Sequence, residues 1–175
     1  MTISEPATLL TDYALSMLSF GLAFSLRRRS SEAGGRKVGL WIAGFGVTAL
    51  AALAGGSAHG FRIPLGDSWA YLWRFTVVSI AAGSVLLIAA GARSSLRSES
   101  LSASERSEGI SWLERAIAVT LIALAVLVLK LAPHRHFNHN DLYHAIQMAG
   151  LIFLYRAAIR LHGLSGSGTR PETGS

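Results

Sequence analysis

Residues 38–58 read VGLWIAGFGVTALAALAGGSA, 21 positions without one ionisable side chain. An α-helix needs roughly 20 mostly apolar residues to cross a bilayer. This stretch meets that length on its own. Its apolar run is continuous rather than alternating, which excludes the strand of a membrane barrel. The pattern recurs on both sides of it. Runs over 7–26, 69–92, 110–132 and 141–161 are rich in Ala, Leu, Ile, Val and Gly, with no internal Pro. The sequence therefore predicts an all-α polytopic bundle of five transmembrane helices over residues 1–162, followed by a disordered cytoplasmic tail over 163–175.

Composition agrees. Hydrophobic residues make up 51% of the 175 and charged residues 15%, against about 25% charged in a soluble domain. The net charge is +6. In a soluble protein that excess would suggest nucleic acid, but here the basic residues lie between apolar runs and report topology instead. The expected partner is membrane lipid, and nucleic acid is not expected. The chain has no Cys, which excludes disulfides, thiolate metal sites and Cys nucleophiles. No dinucleotide, phosphate-loop or nucleophile-elbow motif occurs.

Orientation follows from the positive-inside rule. Twelve of the 16 Lys and Arg residues fall on one side: Arg27 to Arg29, Arg36 and Lys37 after the first span, Arg93, Arg97, Arg106 and Arg115 around the third connection, and Arg156, Arg160 and Arg170 at the end. That places the N-terminus outside and the C-terminus in the cytoplasm of a cell inner (plasma) membrane. Glu5 before the first span and three Arg after it reverse the order of a cleavable signal. Trp41 and Trp112 are expected at the inner interface, Trp69 and Trp73 at the outer one. Residues 94–109, SSLRSESLSASERSEG, read as a mobile Ser-rich linker.

The topology gathers polar residues at the outer end. His59, His134, His136, His139 and His144 fall there, as do Asp12, Asp67, Asp141 and Arg74. Ionisable groups in spans are costly and face a bundle interior or a wet cavity, so an outer polar pocket is expected. Residues 134–144, HRHFNHNDLYH, hold four His and one Asp. Imidazole with carboxylate suits zinc or another divalent metal. Asp141 and His144, three apart on a helix, share a face. Gly55 and Gly56 let another helix approach His59. Local roles compete. Asn138 or Asn140 can cap the last helix and Asp67 the third, Asp12 can pair with Arg74, His134 and His136 can be loop residues, and Lys130 can snorkel to the interface.

The block HFNHNDLYHAIQMAGLIFLYRA, with Thr11-Asp12-Tyr13 and Gly55-Gly56-Ser57-Ala58-His59-Gly60-Phe61, resembles a family of uncharacterised bacterial multipass membrane proteins. A more distant resemblance is to the CREST membrane hydrolases, the alkaline ceramidase and adiponectin receptor type. Those have seven helices and a zinc site at one end, with a His closing an early helix and an H-x-x-x-H pair on the last. The resemblance implies that His59 and His144 are zinc ligands, that Ser57 matches the polar Ser, and that Asp12 or Asp67 plays the Asp. Asn140 stands four before His144, where the pattern has His. A third ligand is therefore left to His139, His136 or Asp141.

Three functions fit these residues. The first is a metal-dependent hydrolase of lipid amides or esters, with water activated on zinc, Asp12 or Asp67 as base and Arg74 on an anionic head group. The second is a non-enzymatic binding, sensor or assembly protein with structural or pH-responsive His. The third is haem-based electron transfer with His59 and His144 as axial ligands.

Overall fold

The computed structural model describes residues 3–34, 38–98, 101–134 and 137–164. Helix α1 spans Pro6–Glu32, α2 Gly39–Gly60, α3 Arg62–Leu65, α4 Ser68–Arg97, α5 Ala103–Val128 and α6 His139–Leu161. All but the four-residue α3 are long and apolar enough to cross a membrane. The only strand-like feature among the described residues is one bridge between His134 and Phe137.

The helices are apolar outside and small or polar inside. Along α1 the buried positions are Thr8, Leu9, Asp12, Leu15, Ser19, Ala23, Leu26 and Ser30, a stripe at helical period. Met17, Phe20 and Phe24 point outward and are well exposed. In water this pattern would be unstable. In hydrocarbon it is the expected one, because packing of small residues and interhelical hydrogen bonds replace the hydrophobic drive between helices. Such bonds tie the bundle: the Ser16 hydroxyl donates to the Ala49 carbonyl at 2.8 Å, Ser25 Oγ meets the Tyr155 hydroxyl at 2.6 Å, and Trp41 Nε1 donates to Ser94 Oγ at 2.9 Å.

Helix α1 lies between α2 and α6; α4 packs on α2, and α5 packs on α6. Helices α4 and α5 barely touch. An apolar cavity of about 530 Å³ opens between α4, α5 and α6. The starts of α1, α4 and α6 and the ends of α2 and α5 form one end of the bundle, called here the His/Asp end. The opposite, Arg-rich end carries the shorter connections, 33–38 and 98–102.

Four expectations change. Residues 94–109 are largely helical, not a linker. Helix α4 runs to Arg97, and Ser102 opens α5 with a capping box, accepting from Glu105 N while the Glu105 carboxylate accepts from Ser102 N. That S-x-x-E pattern is visible in the sequence, and helix propensity of the following residues outweighs their polarity. The fourth span ends at Val128 rather than Ala132. There Lys130 adopts φ 51° and Pro133 follows, which cannot continue a helix. Trp41 is 1% exposed, turned into the core against Phe45 with its indole N–H donating to Ser94 Oγ, rather than outward as an aromatic belt implies. Lastly, α3 was not foreseen. The tail beyond Leu164, with Arg135, His136, Arg36 and Lys37, lies outside the described residues.

Candidate functional site

At the His/Asp end, α6 is set first. Asn138 caps it, its side-chain oxygen accepting from Asn140 N at 2.7 Å and Asp141 N at 3.3 Å. The Asp141 carboxylate accepts from Asn138 N at 2.8 Å, completing a capping box. Three backbone donors at the helix start are thereby satisfied. Asn138 Nδ2 also donates to Thr8 Oγ1 at 3.3 Å, which binds this cap to α1. Asp141 is fully buried.

One turn on, His144 sits between three groups of α1 and α6. Its Nε2 lies 3.3 Å from Asp12 Oδ1 and its Nδ1 3.3 Å from Thr11 Oγ1. Thr11 Oγ1 is in turn 3.5 Å from Asp141 Oδ1 and 3.1 Å from the Thr8 carbonyl. The result is a line from carboxylate through imidazole and hydroxyl to a second carboxylate. Asp12 is 3% exposed, and its Oδ2 has no hydrogen-bond partner.

Helix α2 closes over this line through Gly55 and Gly56. A Cβ on Gly56 would stand 2.8 Å from Asp12 Cβ, and one on Gly55 would stand 3.5 Å from Asp12 Oδ2 and 3.3 Å from Thr76 Cγ2. Glycine is required at Gly56 because α1 and α2 approach within the space of a methyl group. One residue on, Ser57 Oγ lies 3.0 Å from the Tyr13 hydroxyl and donates to the Leu53 carbonyl at 2.8 Å. His59 Nδ1 meets Glu5 Oε2 at 3.2 Å, and its ring stands edge-on to Trp73 with centroids 5.5 Å apart. Trp73 stacks on Trp69. Trp69 donates to the Ala58 carbonyl and carries the Arg62 guanidinium on its face.

The structure thus brings Asp12, His144 and Asp141 together and leaves His59 beside them with its own carboxylate. The two imidazoles lie within electrostatic range of one another, as do Glu5, Asp12 and Asp141. Each ring takes a different acid, His59 Nδ1 meeting Glu5 and His144 Nε2 meeting Asp12. His139 is half-buried on the first turn of α6 and makes no hydrogen bond or ion pair among the described residues. Asp67 occupies the N-cap position of α4 but makes no side-chain cap bond. Arg74 is exposed and pairs with no carboxylate among the described residues. Among the described residues, no three His, Asp or Glu side chains are arranged to hold a metal ion.

Three participants were missed in the sequence. Thr11 belongs to the Thr-Asp-Tyr block but was given no role. Thr8, one turn before it on the same face, could have been found by that spacing. Glu5 precedes the span and carried only an orientation argument, with no local signal linking it to His59.

The chain matches no curated protein and no solved structure. A family model does match, over residues 7–102 and 98–162. These two segments take in all five long helices, and the chain belongs to the family of unknown function DUF6962.

Proposed function

We propose that this is a multipass protein of the cell inner membrane, its His/Asp end outside, whose Asp12–His144 centre holds and exchanges a proton. In this reading it is a non-enzymatic binding or sensor protein, with proton occupancy setting how α1 seats on α6. One observation carries the reading. Asp12 and Asp141 are buried, and no Lys or Arg forms an ion pair with either among the described residues. A carboxylate removed from water is costly unless its charge is matched. Among the described residues the group placed to match Asp12 is His144, and imidazole is the side chain whose charge ordinarily changes between about pH 5 and 8.

Thermal unfolding of purified protein across that pH range tests it. Wild type should show a pH-dependent midpoint that flattens in both Asp12→Asn and His144→Gln. The same pH dependence in all three proteins would refute a shared proton.

A second reading is a divalent metal site, zinc first, serving a lipid amide or ester hydrolase. It is favoured by the unpartnered Asp12 Oδ2 beside His144 and by the resemblance that assigns His59 and His144 to zinc. Stoichiometric zinc in protein purified without a His tag, lost in His59→Ala and in His144→Ala, would establish it over the first.

The orientation has its own check. The chain has no Cys, so single Cys residues can be placed freely. Membrane-impermeant maleimide on intact cells should label Gly66→Cys and leave Ser31→Cys and Ser102→Cys untouched. Labelling of either Ser position from outside would reverse the topology.

A further inference from the structure

At the Arg-rich end, α2, α4 and the end of α6 line a half-open cavity of about 260 Å³. Arg93 and Arg97 line it from α4. They are four apart and so project from one face. The other wall is the first turn of α2, Gly39 to Trp41. His162 and Ser94 form the back. No carboxylate lines the cavity among the described residues.

We propose that this cavity is an anion site that takes a phosphate group. The arginines are the first reason. Four other arginines at this end are engaged, Arg28 with Glu32, Arg160 with Glu108, and Arg115 and Arg156 over the Trp112 ring, while Arg27, Arg29 and Arg106 are unpaired among the described residues but do not line this cavity. Arg93 and Arg97 have no ion pair or ring partner among the described residues, and they stand together, both exposed, at the mouth of one half-open cavity. A guanidinium fork matches phosphate oxygens in pairs.

The shape of the wall is the second reason. Ser94 is 5% exposed and Trp41 1%. The Trp41 indole donates to Ser94 Oγ, and His162 Nε2 lies 2.9 Å from the same oxygen. The back wall is therefore held by its own hydrogen bonds, and the arginines are the groups left to meet a ligand. The opening turn of α2 adds to the field. Its N-cap residue Val38 offers no side-chain cap, and a Cβ on Gly39 would meet nothing within 4 Å. The positive end of the α2 dipole therefore lies at the same wall.

The volume lies below the range of about 300–1,000 Å³ typical of larger small-molecule sites. It suits a phosphate with a short substituent. That phosphate can come from the headgroup of an anionic membrane lipid or from a soluble phosphate compound. The proposal does not depend on the His/Asp centre.

The test uses the full chain, delipidated in detergent. One arm titrates inorganic phosphate and follows thermal stability. The other reconstitutes the protein into phosphatidylcholine vesicles with and without phosphatidylglycerol. Arg93→Gln/Arg97→Gln is compared with Arg27→Gln/Arg29→Gln, which removes the same charge from the same end. Stabilisation of wild type by inorganic phosphate identifies a soluble source, and stabilisation by phosphatidylglycerol alone identifies a lipid headgroup. In either case the Arg93/Arg97 variant should lose affinity about tenfold or more, as removal of charge-assisted hydrogen bonds implies, while the Arg27/Arg29 variant stays near wild type. No stabilisation of wild type by either probe, or equal losses in the two double variants, would overturn the site.

Discussion

Replacing His144 with Ala is expected to destabilise the protein by about 3–5 kcal/mol, the cost of removing one partner from a buried charged pair. Among the described residues His144 is the only group that meets Asp12 Oδ1, and Asp12 Oδ2 has no partner. Without the imidazole both carboxylate oxygens are buried and unmatched, and Thr11 loses its ring contact. Removing Asp12 as well should restore part of the loss. The double variant Asp12→Ala/His144→Ala should then be less destabilised than the sum of the singles, the mark of coupled neighbours. Chemical unfolding in detergent, followed by circular dichroism, measures all three. Additive losses, or a His144→Ala loss under about 1 kcal/mol, would mean that the two residues do not act as a pair.

The second large effect is expected at Gly56→Val. A Cβ there meets Asp12 Cβ at 2.8 Å and the Tyr13 ring at 2.8 and 2.9 Å. These atoms belong to a neighbouring helix packed along its length, so α2 must move away from α1. Overpacking of this kind costs about 1–3 kcal/mol. The shift would also break the 3.0 Å contact between Tyr13 and Ser57. Gly55→Ala should be milder, since its nearest neighbour is the Thr76 methyl at 3.3 Å. Gly46→Ala should be neutral or slightly stabilising, because nothing lies within 4 Å and Ala is the better helix former. The same unfolding assay ranks them. Equal stability of Gly56→Val and Gly46→Ala would contradict the close crossing of α1 and α2.

The spans were legible because hydrocarbon leaves few options: length and the scarcity of charge decide a crossing helix. Their ends were less so. Polarity suggested a linker at 94–109, yet a Ser102 cap and good helix formers extend α5 into it. The Asn138 cap was readable from residue type and position alone. The meeting of Asp12 with His144 was legible only in outline. Topology puts both at one end, but which acid faces which imidazole depends on rotation about each helix axis. Apolar spans carry little amphipathic pattern to fix that rotation, so the sequence suggested Asp12 with Arg74 and His59 with His144. The structure pairs Asp12 with His144 and Glu5 with His59.

The packing of α1 between α2 and α6 bears on how the molecule is made. Neighbours in the chain form two hairpin-like groups, α1–α2–α4 and α5–α6, each rich in local contacts that form early. What joins them most extensively is α1 against α6, residues about 130 apart in sequence. That contact cannot exist until the last helix has been synthesised. Its polar part is Thr8, Thr11 and Asp12 meeting Asn138, Asp141 and His144. The Asp12–His144 line is therefore also the polar seam between the α1–α2–α4 group and the α5–α6 group. The family model divides at the same place, its segments meeting around residues 98–102. A misdocked molecule would leave Asp12 and Asp141 without their partners across this seam, a costly state for ionisable groups within spans.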